Sequence, residues 1–519
     1  MIEGGPPNMK NVVLIPLDER PCNLNFVPFL SKDTDYNIIT PPLKLMGDKK
    51  IPADTDALWD WLIGNAENFN YAILSIDMLV YGGIIPSRLH HLSIDECEKR
   101  LNNIKKLKEI NPALKIYAFN LIMRCPSYSS SDEEPDYYEH YGKQLFQYGC
   151  ISHKIKINTA KEEEKDTLNQ IKTIIPSEVL EDYTKRRSIN SEINKMVINM
   201  AKDNFFDFLV IPQDDSAPYG FTALDQQKLR EYISYNHLDF KVYMYPGADE
   251  VSMTLFARLI NEDKALKPLV YVKYSSTKGP FIIPLYEDRM LNETIKYQIL
   301  CAGCLPCSDL SCADIVLMVN SPAEKMYEAY EQGNFEIDYN VNKNTIEFTE
   351  FIGYIINIRN MPCAVADVAY ANGGDLKLID NLSQKGLLFK LAAYAGWNTN
   401  SNTLGTAICQ SVIFSIYGNT QGHLNFIGLR YVEDAAYCSF VRKYVTDNYL
   451  PNIGLDYFHS DGKRGLVSEI VKRKLMQFSA EKLFDNYYGI NITDTYMPWS
   501  RMFEVGLEVQ VNKKISDSK

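Results

Sequence analysis

Histidine is scarce here, with 7 in 519 residues. No HExxH pair is present, so a zinc-peptidase reading fails. His90 and His91 come well after Asp77, and His140 sits in an acidic loop. With no GxSxG and no histidine placed to serve a triad, a serine-hydrolase reading fails too. The phosphate-cradling loops GxxxxGK[ST] and GxGxxG are missing, and Gly373-Gly374 alone does not replace them. Long hydrophobic runs are also lacking, since none approaches the roughly 20 residues of a membrane-spanning helix. Positive charge is in deficit: 54 Lys and Arg against 66 Asp and Glu give −12. That balance disfavours nucleic acid and anionic membranes as partners.

Cysteine is present but unpatterned, with 11 residues at irregular spacing. This does not read as a secreted disulfide framework. The run Cys301-x2-Cys304-x2-Cys307-x4-Cys312 departs from the ferredoxin spacing in its last gap and is followed by Ala313. No second knuckle completes a zinc site. Helical spacing over 295–304 makes buried free thiols the expectation. We expect no nucleotide, flavin, iron–sulfur cluster or metal cofactor, and a cytoplasmic enzyme of ordinary globular composition, 46% hydrophobic and 23% charged.

What the sequence does have is a repeated pattern of short apolar runs. They cover 12–17, 71–76, 116–122, 208–211, 242–245, 269–273, 315–319, 363–366 and 391–395. Each is near-continuously hydrophobic, as parallel strands buried on both faces are. Helical stripes separate them, clearest at Ile189, Ile193, Met196, Val197 and Met200. The fold class predicted is α/β, with a (β/α)8 barrel preferred over two doubly wound sheets. Residues 1–8 are expected to be a leader foreign to the fold, 9–400 the α/β catalytic core, and 401–519 a mostly helical region packed on it. There is no internal repeat. The charged run 161–166 reads as a solvated helix face.

The chemistry lies in the residues just after each run. Asp18 and Arg20 come after the first. Asp77, Tyr81 and Arg88 come after the second. Arg124 and an acidic loop over 132–138 come after the third. Asp214-Asp215 and Tyr219 succeed the fourth, and Asp249-Glu250 the fifth. Asp367, Tyr370 and Asn372 succeed the eighth, then Trp397, Asn398 and Asn402 the ninth. In both architectures the strand ends converge, and crowded carboxylates push one another's pKa values apart. We therefore expect Asp18, Asp77, Asp214, Asp215, Asp249, Glu250, Asp367 and Asn398 to line one pocket. The bland alternative is helix capping by Asp and Asn. Arg20, Arg88 and Arg124 either clamp an anionic group of the substrate or neutralise Asp18, Asp77 and their neighbours.

The elements IPLDERP, SIDMLVYGG with its following SR, EEPDYYEHYG, QDDSAPYG, YPGADE, ADVAYANGGD and YAGWNTNSNTLGTA resemble a bacterial family known as DUF4127. The resemblance covers about residues 9–510 and implies no particular activity. The Asp-Asp pair after the fourth run, with Asp367 and Asn372 later, is similar to the layout of retaining hexosaminidases of the O-GlcNAcase type, as analogy only. The analogy implies a glycoside hydrolase acting on a small carbohydrate, with an N-acetylhexosaminide as one option. One of Asp214 and Asp215 would serve as general acid. The other would orient an acetamido group or stabilise the oxocarbenium-like transition state. Asp249 or Glu250 stands in reserve as nucleophile or base. Tyr81, Tyr219, Tyr370 and Trp397 would offer faces for sugar rings, with Asp18, Arg20, Asp77, Arg88, Arg124, Asp367, Asn372, Asn398 and Asn402 as further binding groups. A divalent-metal hydrolase, favoured by the oxygen-rich set, and a non-enzymatic carbohydrate-binding protein are the rivals.

Overall fold

The computed structural model describes residues 9–333 and 336–514. The leader 1–8 lies outside the described residues. The chain divides into two compact units. Unit 1 holds residues 9–19, Asp35–Ser252 and Tyr286–Asp288, and unit 2 holds Arg20–Thr34, Met253–Leu285 and residues 289–514.

Unit 1 is built on a parallel sheet of β1 (Lys10–Ile15), β2 (Tyr36–Ile39), β3 (Tyr71–Ser75), β4 (Lys115–Phe119), β5 (Phe208–Val210) and β6 (Val242–Tyr243). Its order is β2-β1-β3-β4-β5-β6. Val12, Val13, Leu14 and Ile15 of β1 have no exposed surface, because helices of the crossovers cover both faces of such a sheet. The order reverses direction between β1 and β3. In open α/β sheets ligands bind at the carboxyl ends of strands beside such a switch point. Asp18 and Asp77 follow those two strands.

Unit 2 contains β7 (Leu269–Tyr274), β8 (Leu305–Cys307), β9 (Ile315–Asn320), β10 (Tyr327–Glu328), β11 (Cys363–Asp367), β12 (Tyr370–Ala371) and β13 (Ala393–Ala395). Its main sheet is parallel with order β13-β11-β9-β7-β8, while β10 and β12 pair separately. Counted within unit 2, this is again the 2-1-3-4-5 order of the first five strands of unit 1. The topology repeats where the sequence does not, since the order depends on crossovers and not on residue identity.

The α/β class with parallel strands is correct. The barrel preference is not met, for among the described residues both sheets are open. The reason lies in β2 and β8. Each is a short edge strand with half-exposed residues, and β8 contains Pro306. β2 and β8 lack the continuous apolar signature, so the nine visible runs, which include the edge strands β6 and β13, looked like one closed set.

The C-terminal stretch carries the helices Asn400–Tyr417, Gln421–Arg430 and Leu466–Lys482. The segment Tyr431–Val441 continues the second of them as a wide π-type helix. The stretch then ends in an antiparallel hairpin, β14 (Tyr488–Tyr496) with β15 (Gly506–Lys513). No described helix is long and apolar enough to cross a membrane. The charged run at 161–166 opens the helix Glu162–Ile174 and is largely exposed, as its composition implied.

Candidate functional site

In unit 1, Ser75 ends β3 and caps the helix Ile76–Tyr81 by accepting from Met78 N at 3.2 Å. This leaves Asp77 free of cap duty. Its Oδ2 instead accepts from Leu121 N at 2.9 Å and Asn120 Nδ2 at 3.2 Å, just past β4. Burial pushes the Asp77 carboxyl up to about 7, against the pull of those hydrogen bonds, and the Asp214 charge adds to the rise.

Beyond β5 the chain bends so that both members of the Asp-Asp pair are usable. Asp215 has φ +36°, a left-handed conformation that costs energy outside glycine and recurs at functional sites. Arg88 donates from NH2 to Asp214 Oδ2 at 2.6 Å, and Arg124 donates from NH1 to Asp215 Oδ2 at 3.0 Å. The two arginines also share Glu133 and Glu134. Glu133 Oε2 accepts from Arg88 NH1 at 3.1 Å and Arg124 NH2 at 2.9 Å. Glu134 Oε1 accepts from Arg88 NH1 at 3.3 Å and Arg124 Nε at 2.7 Å. Arg88, Arg124 and Glu134 are all buried, and Glu134 Oε2 has no hydrogen-bond partner among the described residues. Burial pushes Asp215 up to about 6. Arg124 opposes the rise, and Asp214 adds to it.

The helix Ser177–Lys202 sets this arrangement in place. Arg187 donates to the carbonyls of Met123 and Arg124 at 2.6 and 3.1 Å, and Asn190 donates to Ser87 O at 2.9 Å. Asn194 donates to Leu121 O at 3.1 Å and to Asn120 Oδ1 at 2.6 Å. Residues 187, 190 and 194 share one helix face, so a buried polar stripe fixes the segments that carry Arg88, Asn120 and Arg124.

Arg88 and Arg124 are neutralised in a buried network, though not by the Asp18 and Asp77 expected for it. Their partners are Asp214, Asp215, Glu133 and Glu134, of which the two glutamates were not singled out. The signal for them was the acidic loop itself, in which Pro135 directly follows Glu134. Asp18 and Asp249 are buried at the ends of β1 and β6. Glu250 turns back on its own loop. Its Oε2 accepts from Ala248 N at 3.0 Å, and its Oε1 lies 2.1 Å from where a Cβ on Gly247 would stand. Tyr81 offers no sugar platform: it is 3% exposed and stacked on His90 at 4.6 Å. Tyr219 is 39% exposed, with Lys154 over its ring at 5.3 Å.

Unit 2 has its own buried polar cluster at the ends of β9, β11 and β13. Asp367 Oδ1 accepts from Asn320 Nδ2 at 2.7 Å. Its Oδ2 accepts from Asp375 N at 2.7 Å and Tyr394 OH at 2.9 Å. Burial, with the Asp375 charge, pushes it up to about 6. Asp375 caps the helix Leu376–Gln384. Burial raises its carboxyl too, but the adjoining Lys343 ammonium outweighs that and holds it below the usual range. Asp434, on the π-type segment, accepts from Gly396 N at 2.7 Å and from Arg430 at 3.0 Å, and burial pushes it up to about 8. Asp367 is thus held by Asn320, Tyr394 and the backbone of Asp375, and the helix cap at this strand end is Asp375.

A separate small cavity of unit 2 brings together Arg20, Asn372, Trp397 and Asn398 with Glu433, Arg442 and Glu504. Thr403 Oγ1 accepts from Trp397 N at 2.9 Å, and Thr406 Oγ1 accepts from its Nε1 at 3.1 Å, which fixes the indole. Asn372 and Asn398 both have positive φ, +60° and +51°, and Asn372 N donates to Asn398 O at 2.8 Å. Asn402 is buried on the helix Asn400–Tyr417, with its side-chain oxygen unpartnered among the described residues. Tyr370 stacks on Tyr339 at 4.8 Å.

Of the eight residues expected in one pocket, six therefore lie in unit 1, and Asp367 and Asn398 lie in unit 2. Among the described residues no group of three His, Cys, Asp or Glu side chains is arranged to hold a metal ion. Cys301 and Cys304 are buried as expected, but Cys307 is half-buried and Cys312 exposed. Both of the latter donate from Sγ to Asp309 O, at 3.6 and 3.2 Å.

No curated protein and no solved structure matches this chain. A family model described as "Protein of unknown function (DUF4127)" matches residues 12–508. That span includes both sheets and both polar clusters, and the chain belongs to the DUF4127 family.

Proposed function

We propose that unit 1 is a glycoside hydrolase module whose general acid is Asp215. The observation that carries this reading is a pair of adjacent carboxylates beyond β5, each held by a buried arginine, Asp215 by Arg124 at 3.0 Å. Asp215 is pushed up to about 6 on a left-handed backbone, while Asp214 is bonded to the buried Arg88 at 2.6 Å. A general acid works best with a pKa near the working pH, and burial brings Asp215 toward it. Asp215 protonates the leaving oxygen. Asp214, fixed by Arg88, orients a polar substituent such as an acetamido group or stabilises the oxocarbenium-like transition state. Asp249, buried after β6, is the reserve base or nucleophile. Asp77, pushed up to about 7, supplies a second proton-holding group beside the switch point.

The substrate class rests on the hexosaminidase analogy of the Asp-Asp pair: small glycosides, with N-acetylhexosaminides first. Chromogenic glycosides and their 6-phosphates, assayed with wild type and Asp215→Asn, test the reading. Hydrolysis by wild type that falls about 10²–10⁴-fold in the variant supports it. Equal rates overturn it.

A further inference from the structure

The cavity of unit 2 is independent of the hydrolysis reading. Its volume is about 20 Å³, room for the centres of one or two water-sized groups at roughly 10–15 Å³ each. A sugar ring does not fit in it, but two oxygens of a carboxylate or phosphate do.

Its charges point the same way. The two carboxylates in its lining already have arginines: Glu433 is bonded by Arg430, and Glu504 by Arg501 at 3.1 Å. Arg442 differs from these. It is 7% exposed, and its guanidinium donates only to carbonyls: Phe503 O at 2.8 Å from NH1, and Asn372 O and Cys438 O at 2.8 and 3.2 Å from NH2. No carboxylate lies within ion-pair distance of it among the described residues. An arginine stays charged in any protein environment. The carboxylate charge acting on this one is Glu328, which is taken up by Asn372 Nδ2 at 2.9 Å, so a directly bonded anion would still be favoured. Three carbonyls fix the plane of this guanidinium and leave N–H groups for an incoming anion, the geometry that recognises carboxylate or phosphate. The half-buried Asn372 and Asn398, in left-handed conformations, shape the side of the cavity beside it.

We propose that this cavity is a receptor for a small oxyanion, a carboxylate or phosphate group, bound to Arg442. The test is calorimetric titration of the full chain with sodium acetate and, separately, inorganic phosphate at constant ionic strength. Wild type is expected to bind at least one probe, and the better probe identifies the head group. Arg442→Gln should weaken binding at least about tenfold and Arg442→Lys restore part of it. Asn398→Asp, which keeps a residue tolerant of positive φ, should weaken it comparably by placing a carboxylate at the cavity. Because it leaves the three carbonyl contacts intact, it serves if Arg442→Gln does not fold. Asp215→Asn should bind as wild type does, whatever becomes of glycoside hydrolysis. No heat from either probe at millimolar concentration overturns the proposal, as does unweakened binding by a folded Arg442→Gln or Asn398→Asp.

Discussion

Asp215 carries a raised carboxyl on a backbone that a non-glycine residue enters only under constraint. As a general acid it must be protonated, so kcat/KM should fall as pH rises through about 6, the value to which burial and Asp214 push it. Rate against pH on a found substrate gives that limb directly. A second residue-scale prediction concerns Gly247, whose φ is +158° and whose missing Cβ leaves room for Glu250. Gly247→Ala should destabilise the fold by about 1–3 kcal/mol in chemical denaturation. At this scale much of the site was legible, because Asp and Arg directly after apolar runs are visible as letters. The partners were not. Nothing in the spacing of Arg88 and Arg124 says that Glu133 and Glu134 would occupy them, since those contacts depend on how a loop folds back.

At the scale of elements, the helix Ser177–Lys202 shows how one sequence carries two messages. Its apolar stripe at 189, 193, 196, 197 and 200 predicts the helix and its burial. The neighbouring polar stripe at 187, 190 and 194 is buried and holds three loop segments. Asn194→Ala should therefore cost about 1–3 kcal/mol, because Leu121 O and Asn120 Oδ1 lose a buried donor. Lys195→Ala, one residue on, should stay within about 0.5 kcal/mol. Comparison of the two by urea denaturation isolates burial from helix propensity, and equal costs would contradict the assignment. The edge strands β2 and β8 illustrate the opposite loss. Half-exposed and short, they carry little hydrophobic signal, and without them two open sheets count as one barrel.

For the whole molecule, the buried carboxyls make stability depend on pH with a defined sign. Asp77, Asp215, Asp367 and Asp434 sit at about 7, 6, 6 and 8, above the ordinary 3.8. Between that value and each folded value the native state holds more protons than the unfolded chain, so stability falls as pH rises. It should be greatest toward pH 4 from these four groups and decline up to about pH 8. Asp77→Asn removes one contribution while its side-chain oxygen can still accept from Leu121 N. It should flatten the decline between pH 4 and 7 by an amount on the order of a few kcal/mol. Thermal denaturation across that range checks it. The repeated 2-1-3-4-5 order was not legible in any residue pattern, for crossover direction is a property of the folded chain.

The central claim, glycoside hydrolysis with Asp215 as acid, is tested most directly by one assay. Wild type and Asp215→Asn are run side by side against chromogenic glycosides and their 6-phosphates, from pH 4 to 8. The account predicts turnover of at least one substrate by wild type, declining above pH 6, and a loss of about 10²–10⁴-fold in the folded variant. No hydrolysis of any glycoside by wild type, or undiminished hydrolysis by Asp215→Asn, would contradict it.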